Sequence, residues 1–291
     1  MSDAAYQEKQ SLGVLKIISN GISLLVQNPI LTIGIALLVQ IFWMALNVGF
    51  TFGLFGINLF NVSEVLQVVS NRSYQAFSTI ISIVGYVMTI GIITMANIDA
   101  HNGYGIRLGL YLTRCLKKFF VILILTVLTY VLASIPIVLL VGLGSVAQSA
   151  VFAAIFGLVG VGVFAYIFAM FSVVTPAILA ENIGFGALSR SRILTKGYRG
   201  SIIGVMVLLF AMLLILLLLA AAVIGVFGAG GNFGVQLILQ ATTGSLTFQV
   251  INLLVGSVLI AYFAAVNVSI FERLRSIKNG IGLVEVANVF E

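Results

Sequence analysis

Six stretches of this chain, residues 30–55, 76–96, 119–141, 150–175, 201–226 and 246–270, contain no Asp, Glu, Lys, Arg or His. About 20 apolar residues, at 1.5 Å of rise each, cross a hydrocarbon core of roughly 30 Å as a helix. The stretches do not alternate polar with apolar, as barrel strands of about 10 residues must. Without water, a spanning backbone must satisfy its own hydrogen bonds, so each stretch is expected to be helical. The chain as a whole is 61% hydrophobic and 8% charged, with a mean hydropathy of +1.23. Soluble domains carry about 25% charged residues. The fold expected is therefore all-α and polytopic, one transmembrane domain over residues 1–291 with about six spans.

The charges orient it. Lys9 and Lys16 precede the first stretch, and Arg107, Arg114, Lys117 and Lys118 lie between the second and third. Arg190, Arg192, Lys196 and Arg199 lie between the fourth and fifth, and Arg273, Arg275 and Lys278 follow the sixth. Of fourteen basic residues, only Arg72 falls on the other side. Positive residues stay cytoplasmic, so both termini are expected inside, in a plasma membrane, most simply a prokaryotic inner membrane. The polar segment 1–10 lacks the basic-then-apolar order of a signal peptide. The net charge of +6 sits beside spans, which points to anionic head groups rather than nucleic acid.

The segments before the odd-numbered spans are amphipathic. In 11–28, Lys16, Asn20, Ser23 and Gln27 form one stripe, with Val14, Ile17, Ile18, Leu24 and Leu25 elsewhere. In 105–119, Arg107, Arg114 and Lys118 oppose Leu108, Leu112, Cys115, Leu116 and Phe119. In 186–199, Ser189, Arg192 and Lys196 align, joined by Arg199 if the helix continues past Gly197. Such helices lie in the interface with the apolar face down. Acids recur where the even spans end, at Asp99, Glu181 and Glu272. The pattern suggests a threefold repeat of one interfacial helix and two spans, with units 11–97, 103–175 and 184–271. Pro136 falls inside the third span, where it is expected to kink the helix, and Pro176 closes the fourth.

Candidate chemistry is sparse. Gly228, Gly230, Gly231 and Gly234 lack the strand and helix a phosphate loop requires, and read as a flexible outer connection. Ser63 is expected to cap a short outer helix. Asn61 and Asn71 begin glycosylation sequons, which short sequences produce by chance. Asp99 and His101 stand without the three or four ligands of a metal site, and the chain has one histidine and eight acids. No catalytic, metal or cofactor residue is expected, and the acids are read as structural, pairing with nearby bases. Cys115 is the only cysteine, so no internal disulfide forms. Gln40 with Asn47, and Gln249 with Asn252, either bond helices together or line a substrate path. Gly49 with Gly53, and Gly200 with Gly204, have the spacing of close helix approach. The absence of charge within spans argues against proton or sodium coupling.

The segment beginning at Pro176, with Glu181, Gly184, an Ala-Leu-Ser-Arg-Ser run over 187–191 and Thr195-Lys-Gly197, is distinctive. Together with Phe271-Glu-Arg273-Leu-Arg275 it resembles the glycerophosphoryl diester phosphodiesterase membrane domain and the YciC-like family. The resemblance implies a six-span plan over most of the chain and a membrane module of largely unassigned role. Some members carry a fused soluble phosphodiesterase domain, for which the residues after 270 leave no room, so phosphodiesterase activity is not expected.

The expected function is a non-enzymatic membrane scaffold or lipid-interacting module, the alternative being a transporter or channel without ion coupling. Arg107, Arg114, Lys118, Arg190, Arg192, Lys196 and Arg199 are the candidate contacts for anionic lipid, with Asp99, Glu181 and Glu272 as structural acids.

Overall fold

The computed structural model describes residues 12–55, 72–105, 107–146, 149–227 and 246–279. Among these every regular element is helical and none is a strand. In order they are α1 (Val14–Gln27), a π-helical turn (Ile30–Gly34), α2 (Ile35–Phe55), α3 (Arg72–His101), α4 (Leu108–Val146), α5 (Ala150–Phe171), α6 (Val174–Ala180), α7 (Ala187–Thr195), α8 (Arg199–Phe227) and α9 (Leu246–Asn279). Gln75–His101, Leu108–Gly144, Ala154–Ala180 and Leu253–Lys278 are each long and apolar enough to cross a membrane. The number rises to six if each of two sharply bent helix pairs is one span. The glycine-rich segment 228–234, the helix expected after Ser63, and Asn61 and Asn71 lie outside the described residues, as do the side chains of Asn47, Gln249 and Asn252.

The two bends have different local causes. α1 meets the helix beginning at Ile30 at 85°. Pro29 has no N–H to continue α1 and pushes the preceding residue out of the α region, and Asn28 sits at φ −132°, ψ 59°. The new helix starts on the Asn28 carbonyl, which accepts from the Thr32 N–H at 3.0 Å and the Thr32 hydroxyl at 2.9 Å. α7 meets α8 at 93°. There the chain turns at Gly197, φ 89°, a left-handed conformation that favours glycine. The helix therefore does not continue to Arg199, which instead opens α8.

The interfacial helix expected over 105–119 is not a separate element. α4 runs unbroken from Leu108 to Val146. No proline or glycine interrupts residues 110–135, so no bend comparable to those at Pro29 and Gly197 forms. α4 also passes through Pro136 without ending. Pro176, expected to close the fourth span, lies inside α6, and the break comes earlier, at Ser172–Val173. A proline ring crowds the carbonyl four residues before it and gives it no N–H, which locates the interruption at Ser172.

α1 has three faces. Ile17, Ile18, Gly21, Leu24 and Leu25 are buried, packed chiefly on α9. Lys16, Asn20 and Gln27 are exposed on a polar stripe, and Leu15, Ile22 and Val26 on a separate apolar one. The main apolar face is thus covered by protein, and only a narrow apolar stripe stays exposed. Gly21 permits the approach, since a Cβ there would stand 2.7 Å from Val266 Cγ2. Similar contacts occur at Gly85 against Trp43 and Gly160 against the Ile137 backbone. Among the described residues Gly49, Gly53 and Gly200, by contrast, face no neighbouring atom within 4 Å, and Gly204 only Val14 at 3.9 Å.

The core is concentrated at the end of the bundle that carries the basic residues. Met95, Tyr111, Ile178, Leu194, Phe271 and Leu274 are fully buried there. Further along the helices, Val138, Leu139, Leu158 and Phe210 are more than half exposed. Between apolar helices and apolar surroundings there is no hydrophobic gain to close such gaps.

Candidate functional site

Two acids hold the basic end together. Asp99, at the end of α3, accepts from Arg107 Nε at 2.9 Å and Nη2 at 2.6 Å. The Tyr104 N–H closes the intervening turn on the Asp99 carbonyl at 2.8 Å, and the Arg107 guanidinium lies 4.6 Å from the Tyr104 ring centre. Bonding to the Asp99 carboxylate raises the Arg107 pKa further above its ordinary value. Glu181, after α6, accepts from Arg190 Nε at 2.9 Å and Nη2 at 2.8 Å. Each acid thus forms a two-point clasp with an arginine eight or nine residues later, the planar geometry guanidinium provides. Glu272 differs, meeting among the described residues only Arg275, at 4.0 Å one helical turn away.

α7 is seated by its hydroxyls. Ser191 Oγ donates to the Met170 carbonyl at 2.9 Å, and Thr195 Oγ1 reaches the same oxygen at 3.2 Å. The break at Ser172–Val173 sits just after that carbonyl, and the two side chains, one turn apart, cover it. The Ser-Arg-Ser and Thr-Lys-Gly pattern in the sequence is therefore a seat and a hinge. Ser191 and Thr195 face inward, Arg190 clasps Glu181, and Gly197 turns the chain.

This seating turns Arg192 and Lys196 outward. With Ser189, Ile193, Arg199, Gly200 and Tyr166 of α5 they line a shallow groove in the crook of the 93° bend. Arg199 donates to the Tyr166 hydroxyl and stands 5.0 Å from its ring centre. The side chains of Arg192 and Lys196 make no hydrogen bond or ion pair with the described residues. Among the described residues no acid lines the groove.

The seven sequence-expected lipid contacts thus separate. Arg192, Lys196 and Arg199 converge. Arg107 and Arg190 are engaged by acids. Lys118 of α4 donates to the Asn182 carbonyl at 3.0 Å, tying the base of α4 to the α6–α7 loop, and Arg114 stands exposed on α4 away from the groove. Tyr166, which completes the groove, was not distinguishable in the sequence from other span tyrosines.

A second feature lies inside the bundle. A cavity of about 350 Å³ is enclosed by α3, α4, the α5–α6 break, α8 and α9. Its lining is largely aromatic and aliphatic, with Thr94, Thr126, Thr129, Ser172, Thr175 and Asn267 as polar members and no charged residue. Gln40, a polar span residue singled out from the sequence, is not among them: its buried Nε2 has no partner among the described residues and its side chain lies by Gly256. No group of three or more His, Cys, Asp and Glu able to hold a metal occurs among the described residues.

The chain was compared with protein-family models, curated proteins and solved structures, and none matches.

Proposed function

We propose that this chain is a non-enzymatic, six-span membrane module of a prokaryotic plasma membrane that holds anionic lipid head groups at its inner leaflet. Each bent pair is then one interfacial helix followed by one span, and both termini are cytoplasmic, as the basic residues require. The threefold repeat is retained in modified form: the first and third units carry a bent helix, the middle one a straight α4. The two acid–arginine clasps support the correspondence between the ends of the second and fourth spans.

The observation that carries the lipid reading is the convergence of Arg192, Lys196 and Arg199 in one acid-free groove at the bend. A groove at that depth lies at head-group level. Guanidinium forks match phosphate oxygens bidentately, and each basic residue near an anionic surface contributes about 1 kcal/mol. Native mass spectrometry after gentle extraction tests the reading. Anionic phospholipid should remain bound through detergent that strips zwitterionic lipid, and its absence would remove the basis for the proposal.

The alternative, an uncoupled transporter or channel, is favoured by the internal cavity. It requires a selective solute flux in reconstituted vesicles that is lost on substitution within that cavity.

A further inference from the structure

We propose that the internal cavity binds an uncharged amphiphile, with its hydroxyl or carbonyl end on the polar side chains of the lining and its apolar tail toward the middle of the bundle.

Part of the cavity's polar lining is free for hydrogen bonding and is not used by the fold. Hydroxyls on apolar helices ordinarily bond the carbonyl one turn back, as Thr89 does to Gly85 and Thr129 to Leu125, each at 2.7 Å. Thr94, Thr126 and Thr175 line the cavity and make no side-chain hydrogen bond with the described residues, nor does Asn267. These four groups come from four helices, α3, α4, α6 and α9. Thr94 is buried and the other three are part-exposed, so an amide and three hydroxyls face an otherwise apolar chamber with hydrogen-bonding capacity that a bound polar group or water can take up.

The occupant's charge follows from the lining. Among the described residues no Asp, Glu, Lys, Arg or His lines the cavity, and an ionised group there would be desolvated without a counter-ion. Its shape follows from the walls. Phe168, Phe171 and Phe263 with aliphatic neighbours line the rest of the chamber. Its entry follows from exposure. Val174, Ile270 and Thr94, toward the basic end, are under 5% exposed, whereas Tyr86, Tyr130 and Phe263 are about 40% exposed. The chamber is closed toward the basic end and widens toward mid-bundle, where the Tyr86 and Tyr130 hydroxyls meet at 3.1 Å. About 350 Å³ is near the lower limit for a small-molecule site. It accommodates a polar end and the first part of one chain, and the remainder projects through the opening.

Photolabelling tests this on the whole protein in phosphatidylcholine nanodiscs. The probe is a monoacylglycerol with a diazirine in its chain. Saturable labelling of cavity-lining peptides is expected, displaced by unlabelled monoacylglycerol but not by lysophosphatidate of the same chain. Asn267→Leu should lower apparent affinity at least tenfold. Ala264→Phe, which fills the chamber and leaves every polar side chain of the lining in place, should do the same and provides a second variant should the first fail to fold. Arg192→Gln with Lys196→Gln should leave labelling unchanged, so failure here is separable from failure of the head-group groove. Non-saturable labelling, equal displacement by lysophosphatidate, or full affinity in a folded Ala264→Phe protein would overturn the proposal and leave a chamber occupied by water.

Discussion

Replacing Gly21 by alanine sets two effects of known size against each other. Alanine gains about 1 kcal/mol over glycine within a helix. Its Cβ, however, would stand 2.7 Å from Val266 Cγ2 and 3.3 Å from Tyr262 Cε2, with the Val266 backbone nitrogen behind at 3.5 Å. Carbon atoms in contact prefer about 3.5–4.0 Å, so the overlap approaches 1 Å. Valine on a helix keeps one χ1 rotamer about 90% of the time, and Val266 is buried, so α1 must withdraw from α9. Overpacking of this kind costs about 1–3 kcal/mol. The net expectation is a loss of roughly 0–2 kcal/mol, opposite in sign to helix propensity alone. Thermal unfolding in mild detergent, run as a cycle with Val266→Ala, checks it. Val266→Ala alone should destabilise by leaving a void, and the pair should be less damaging than the sum of the singles, because the added methyl occupies the vacated space. A Gly21→Ala protein as stable as its parent, with additive behaviour in the cycle, would show that α1 does not pack on α9 as described.

Other expectations are independent of that contact. Arg190→Gln leaves Glu181 without its two-point partner and should cost about 1.5–3 kcal/mol in the same assay, with Arg190→Lys recovering only part, since an ammonium cannot supply the fork. Gly197→Ala meets no atom within 4 Å but must hold φ 89°, so a loss of about 1–2 kcal/mol is expected from the backbone alone; Gly109→Ala, in open space on α4, should instead be neutral or gain up to about 1 kcal/mol. Ser191→Ala with Thr195→Val uncovers the Met170 carbonyl and should cost about 1–3 kcal/mol, and a melting point equal to the parent's would mean that α7 is held by its apolar contacts. Reporter fusions after Glu291 and near Arg72 should read cytoplasmic and external respectively, and an external C-terminus would contradict the six-span arrangement.

The bend at Pro29 and the continuity of α4 over residues 110–135 both follow from where helix-breaking residues stand, and so were legible in principle; the passage of α4 through Pro136 was not. The amphipathic stripe over 105–119 obscured this, because periodicity reports which side of a helix is polar and not whether the helix ends. The apolar face of α1 was visible, but not what covers it: lipid and protein interior select the same side chains. That degeneracy also hid the cavity. Thr94, Thr126, Thr175 and Asn267 sit in four spans separated by tens of residues, and nothing local shows that their faces converge. Pro176 was the nearest signal, since the interruption it imposes at Ser172 lies beside the chamber. The basic residues were readable as a set, whereas their division into clasped and outward-facing members depended on Asp99 and Glu181 finding particular arginines.

The head-group reading is tested most directly by the affinity of purified protein for phosphatidylglycerol, compared between the parent and Arg192→Gln with Lys196→Gln. Other basic residues remain on that face, so orientation should be unchanged. Two residues at about 1 kcal/mol each correspond to a loss of roughly 30-fold at low salt. The difference should shrink at about 1 M salt, where the Debye length falls to about 3 Å. Equal retention of anionic lipid by both proteins at low and high salt would contradict the account and leave Arg192 and Lys196 with a purely topological role.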